Sequence, residues 1–123
     1  MKKFFLIALA LFGGTVWAEW LLAGETDEGN LYIDTLSVRR DGSMRQVWEL
    51  TDLRQRDEGG ELSRRTLVQY DCARDRTKVL STSTYSEPMT AGITLVSVAR
   101  EGLWKEVPPG TAYAKAFIIV CAQ

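Results

Sequence analysis

The sequence contains no histidine. That removes the commonest general base and the commonest transition-metal ligand, so histidine-dependent serine and cysteine triads are excluded. No S-x-x-K pair accompanies Lys78, Lys105 or Lys115, and no G-x-x-x-x-G-K-[ST] run is present, which leaves serine–lysine chemistry and phosphate-loop binding without a motif. Cysteine is limited to two residues with no C-x-x-C spacing, too few for a zinc site and wrong for a dithiol redox pair. Proline is limited to three residues, and no Ser-rich, Pro-rich or repeated stretch divides the chain. Positive charge is not in excess: 15 Lys and Arg face 16 Asp and Glu, for a formal net charge of −1. The arginines are interspersed with acids from Arg39 to Arg100, so the concentrated basic face needed for general nucleic-acid binding is missing. No spacing marks a catalytic carboxylate pair, and the acidic run from Glu25 to Asn30 fits no EF-hand loop and reads as a solvated turn. The sequence therefore predicts a non-enzymatic chain with no cofactor and no metal.

Long hydrophobic runs are limited to one. Phe4 to Phe12 follows Lys2 and Lys3 and leads to Val16-Trp17-Ala18, the pattern of a secretory signal peptide with cleavage between Ala18 and Glu19. The run is broken by Gly13 and Gly14 and is shorter than the ~20 apolar residues a spanning helix wants. No second run follows, so no membrane span is expected once the leader is removed. No cysteine stands immediately after the cleavage site, the first being Cys72, which disfavours a lipid anchor. Residues 1–18 are thus read as a leader and residues 19–123 as one domain, exported to the periplasm or secreted, with cell-surface association open. In that oxidising space Cys72 and Cys121 are expected to pair as a disulfide.

The domain reads mainly as short strands. Trp20 to Ala23 opens, Glu25 to Asn30 turns, and Leu31 to Asp34 and Leu36 to Arg39 alternate in character. Asp41-Gly42 signals a tight hairpin whose returning strand runs from Met44 to Leu53. Arg54 to Ser63, with Gly59-Gly60, reads as an exposed loop. Thr66 to Cys72 resumes the strand pattern, with Thr66, Val68, Tyr70 and Cys72 on one face and Asp71 on the other, facing solvent. Lys78 to Tyr85 and Gly92 to Ala99 complete the strands, separated by a break at Pro88 and Gly92.

Past Pro108-Pro109-Gly110 the period changes. Thr111 suits a helix N-cap and Ala112 to Cys121 is rich in helix-compatible residues. Tyr113, Phe117 and Val120 fall on one helical face, and Lys115 is the single charge, which predicts a largely covered helix. The run Phe117-Ile118-Ile119-Val120 equally suits a strand, so the sequence leaves helix and strand both open over 112–121. Trp20, Trp48, Tyr70, Tyr85 and Trp104 are read as core rather than as a ligand platform. The pairs Arg39-Arg40 and Arg64-Arg65 read as solvated turn residues.

In order along the chain, Tyr32-Ile33-Asp34, Val47-Trp48-Glu49-Leu50, Tyr70-Asp71-Cys72, Tyr85-Ser86 with Met89 and Gly92, Trp104 to Thr111, and Cys121 together resemble the surface-adhesin protein E family. The resemblance spans nearly the whole domain. It implies an α+β, mainly β fold: a single antiparallel sheet of about six strands, an ordinary sheet size, with a short C-terminal helix held against one face by the disulfide. It also favours helix over strand at 112–121. The family takes its name from an exposed bacterial adhesin of host matrix and plasma proteins. Met89-Thr90-Ala91-Gly92 departs from its usual glycine-rich turn. The resemblance implies an exported, non-catalytic protein-binding module for a protein or peptide ligand whose identity the sequence leaves open, host extracellular-matrix proteins being one class. A soluble periplasmic accessory protein that binds a peptide or envelope component is the alternative, and a homodimer stays open. The expected contact region is an exposed sheet edge or the Arg54 to Arg65 loop, with Arg64 and Arg65 as candidate ligand residues.

Overall fold

The structure, a computed structural model, describes residues 18–123. The predicted leader lies outside the described residues apart from Ala18.

Eight strands form one antiparallel sheet: β1 (Trp20–Glu25), β2 (Gly29–Asp34), β3 (Arg39–Asp41), β4 (Met44–Leu53), β5 (Ser63–Asp71), β6 (Arg76–Tyr85), β7 (Thr94–Val98) and β8 (Lys105–Glu106). Six of them follow the path β1-β2-β4-β5-β6-β7, while β3 adds to β4 and β8 to β6. The predicted six-strand sheet is therefore present, and the two-residue β8 is an addition too short to carry a periodic signal. The Asp41-Gly42 hairpin forms as expected, with Asp41 opposite Met44 and Gly42 at φ 62°. Leu36 to Arg39 is not a continuous strand. Asp34 Oδ1 accepts the Leu36 N–H at 3.1 Å and Ser37 Oγ donates to the Asp34 carbonyl at 2.8 Å, closing a helical turn over Thr35–Ser37. A short acid beside a chain reversal outcompetes the ladder for local backbone groups.

The tail is helical. In α1 (Ala112–Cys121) the Thr111 hydroxyl caps the first turn by accepting the Ala114 N–H at 3.2 Å. Its buried face, however, runs through Ala112, Ala116 and Val120, with Phe117 packed beside them; Tyr113 and Ile118 are exposed. The helix is half covered because small residues spaced by four let it lie close on β1. At Gly24 a Cβ would stand 3.1 Å from Ala112 Cβ, so a larger residue there would push the helix off the sheet.

Alternation on the strands sets the core. Leu31, Ile33, Val47, Val68 and Tyr70 share the helix side of the sheet with Ala23 and the alanine face of α1. Cys72, one residue past β5, bonds to Cys121 on the last turn of α1, with Cα atoms 5.8 Å apart across 49 residues of chain. That closure contributes about 4 kcal/mol in the chain-entropy account, comparable with the smaller net stabilities of single domains.

Two expectations about polarity and aromatics are corrected. Asp71 does not face solvent: it is 2% exposed and accepts the Arg76 Nε hydrogen bond at 2.9 Å. Of the five strand aromatics, only Tyr70 is in the core, stacked on Phe117 at 5.5 Å between centroids. Trp20, Trp48, Tyr85 and Trp104 are half-buried. Trp48 and Trp104 lie under cations: the Arg65 guanidinium is 3.6 Å from the Trp48 ring, and Arg76 and Lys78 sit 4.4 and 4.7 Å from that of Trp104. Among the described residues no second α-helix packs on the side of the sheet away from α1, and the cations cover these rings.

Candidate functional site

Arg64 and Arg65 lie on β5, not in the preceding loop, and consecutive strand residues point to opposite sides. Arg65 stacks on Trp48 on the side away from the helix. Arg64 turns to the helix side, where its Nη2 reaches Glu28 at 2.9 Å and Asp57 at 3.8 Å and its Nε reaches Glu61 at 3.7 Å. Burial works against the Arg64 charge, but the hydrogen bond to Glu28 and the three nearby carboxylates outweigh it and hold the guanidinium above its ordinary range. The two candidates therefore do not make one basic patch; one caps an aromatic and the other neutralises an acidic cluster.

On the helix side, β4, β5 and β6 floor a groove of about 430 Å³ between the first turn of α1 and the segment Lys105–Pro108. Glu49 and Thr51 enter it from β4, Arg64, Thr66 and Tyr70 from β5, Thr77 and Val79 from β6, and Tyr113 from the helix. The pairings Glu49 opposite Thr66 and Val68 opposite Val79 place these residues side by side. Glu49 is 8% exposed, and its Oε2 accepts a hydrogen bond from the Tyr70 hydroxyl. Burial pushes the Glu49 carboxyl up to about 7, against the opposing effect of that hydrogen bond. Burial, followed by the neighbouring Glu49, raises the Tyr70 phenol well above its usual value. Tyr113 is raised by burial and then by Glu49 and Glu28. A carboxyl facing a cavity with hydroxyls around it can accept hydrogen bonds or pair with a cation. Sequence reasoning did not single out Glu49, yet the signal was present: it is in phase with Val47, Thr51 and Leu53, so alternation puts it on the apolar side of β4.

At the far end of the sheet, β7 pairs with β6 through Thr82–Val98, Ser83–Ser97, Thr84–Val96 and Tyr85–Thr94, and its other side is unpaired among the described residues. Every residue of β7 is exposed, and with Ile93 before it and Leu103 after it the strand presents Leu95, Val96 and Val98 to solvent. The loop feeding it is strained: Met89 and Thr90 have φ of 55° and 64°. Ser63 Oγ accepts the Thr90 N–H at 2.9 Å and donates to the Glu87 carbonyl at 2.7 Å, and Asp52 Oδ1 accepts the Met89 N–H at 2.9 Å. The looser turn at 89–92 is thus fixed from β4 and β5, which aims β7 as an open edge. Among the described residues there is no group of acids and cysteines arranged to hold a metal, and no helix long and apolar enough to cross a membrane.

The overall fold is shared with known structures. Two structures of Haemophilus influenzae protein E, one of them crystal form II, superpose with a TM-score of 0.67 at 19% identity, covering 88% of this chain and 91% or 87% of theirs. Protein E from non-typeable Haemophilus influenzae does so with a TM-score of 0.63 at 18% identity, covering 88% of this chain and 78% of its own. At those identities the likeness is one of fold. No curated protein matches the sequence. The profile of the surface-adhesin protein E family matches residues 20–122, from the first strand to the end of the helix. That match takes in nearly the whole of the described fold: the chain belongs to the surface-adhesin protein E family.

Proposed function

We propose that this surface-adhesin family member is an exported, non-catalytic module that binds an extended segment of a host extracellular-matrix protein along β7. The observation that carries the reading is the wholly exposed β7 edge, flanked by Ile93 and Leu103. An unpaired strand offers a row of free backbone donors and acceptors, and apolar side chains beside them supply area to bury. Membership of a surface-adhesin family supports a protein as the ligand.

In this reading residues 1–18 are removed on export and Glu19 becomes the first residue of a domain that runs to Gln123. The Glu19 backbone nitrogen lies 3.0 Å from Asp34 Oδ1, so cleavage after Ala18 would replace a hydrogen bond with an ion pair between the new ammonium and the Asp34 carboxylate. The reading is tested on the protein recovered after export. N-terminal sequencing should begin at Glu19, external protease should degrade the protein on intact cells, and a panel of immobilised matrix proteins at physiological salt should include one bound saturably. Confinement to the osmotic-shock fraction with resistance to external protease, and no saturable matrix binding, would favour the periplasmic alternative.

A further inference from the structure

The groove beside Glu49 is separate from the β7 edge and has a chemistry of its own. One carboxylate oxygen, Oε2, is taken by the Tyr70 hydroxyl; the other, Oε1, takes no hydrogen bond from the described residues and is not sealed from the groove. A nine-tenths-buried acid with one oxygen open on a cavity wall offers that oxygen as an acceptor to water or to an occupant that displaces it. The remaining walls divide by chemistry. Val68, Val79, Val107 and Pro108 are apolar, while Thr51, Thr66, Thr77 and Tyr113 bring hydroxyls. The volume suits a small molecule or one long side chain, not a chain segment.

Charge decides the sign of the occupant. The cations facing the groove are Arg64 and Lys105. Arg64 is already engaged by Glu28, Asp57 and Glu61, and Lys105 has Glu106 beside it at the rim. The charged lining is balanced, Glu49 and Glu106 against Arg64 and Lys105, but Lys105 is exposed at the rim and Arg64 is held by carboxylates, which leaves Glu49 as the charged group inside the groove. A positive head group meets the open Glu49 oxygen and the exposed Tyr113 ring.

We propose that this groove is a binding site for an organic cation, an ammonium or guanidinium on an apolar stem, with its head on Glu49 Oε1 and its stem along Val68, Val79 and Pro108. Such a head comes from a free amine or from a lysine or arginine side chain of a protein, and the site reads the same chemistry in both.

The test titrates the exported protein, followed by amide and tyrosine NMR shifts, with n-butylammonium for the free amine and Nα-acetyl-lysine N-methylamide for the side chain. Saturable binding of either supports the site, and the tighter of the two identifies the source. Because the cation needs ionised Glu49, affinity should rise roughly a hundredfold between pH 5 and pH 8, the ratio of ionised fractions for a group titrating near 7. Glu49→Gln keeps an acceptor for the Tyr70 hydroxyl and resembles the protonated acid, so it should fold with an unchanged spectrum and lose at least tenfold in affinity together with the pH dependence. Equal binding by E49Q, binding of butyrate in place of butylammonium, or no saturation by either amine would overturn the proposal. Val96→Lys, on the β7 edge, should leave amine binding untouched, so the failure of one site is distinguishable from the failure of the other.

Discussion

Arg64 and Arg65 are neighbours in sequence and point to opposite sides of the sheet, the first into a cluster of Glu28, Asp57 and Glu61 and the second onto the Trp48 ring at 3.6 Å. A dibasic pair that reads as one patch is two separate devices. Arg65→Ala should lower stability by about 0.5–1 kcal/mol through lost stacking and be insensitive to salt. Arg64→Ala leaves three acids around one vacated position and should cost about 1–2 kcal/mol, with part of the loss recovered at high salt as the repulsion is screened. Chemical denaturation of the two variants at low and high salt checks both.

Glu49 supplies a pH signature. Its carboxyl holds its proton up to about pH 7 in the folded protein but only up to about 4.5 once unfolded. The folded state therefore binds the extra proton between those limits, and by linkage its stability falls as pH rises across that window and levels off above it. Glu49→Gln lacks the group, so its stability relative to the wild type should climb between pH 4.5 and 7 by on the order of 3 kcal/mol. Equilibrium denaturation of both proteins at several pH values measures the difference; a pH-independent difference would place the carboxyl at its ordinary value.

Asp71 and Arg76 form a pair in which the acid is sealed from solvent, at 2.9 Å. Arg76 keeps its contact with solvent and with the Trp104 ring, so Asp71→Ala should cost about 1–3 kcal/mol for the lost hydrogen bond to a charged group, above the cost of an exposed strand substitution. Thermal melting of D71A against a surface control such as Ser97→Ala reads this directly.

The disulfide is the tether of α1. The unfolded, unreduced protein should contain no titratable thiol, and reduction should lower stability by about 4 kcal/mol. Helix signal should fall with it, since a ten-residue helix is marginal in water on its own.

Much of this architecture is legible residue by residue. The bounds of β4 and of α1 follow from Asp41-Gly42, from Pro108 to Gly110, and from the Thr111 cap, all of which act within a few residues of the element they delimit. What the sequence hides is set by partners far along the chain. Asp71 is buried where Arg76 returns beside it on β6, and Trp48 stays half-buried on the side where the described residues place no α-helix, covered by Arg65. The split of Arg64 from Arg65 and the groove at Glu49 need the register of three strands and the position of Lys105–Pro108. Openness at β7 is likewise a matter of what does not come back to pair with it, which local propensity cannot express.

The most direct test of the account is binding of the exported protein to an immobilised matrix protein at physiological salt, wild type beside Val96→Lys. A lysine in the middle of an edge strand opposes strand addition while leaving the fold intact. The account predicts saturable binding by the wild type and at least a tenfold loss in V96K at an unchanged melting temperature. Equal binding by the two proteins would contradict β7 as the contact edge, and no saturable binding by either would contradict adhesion itself.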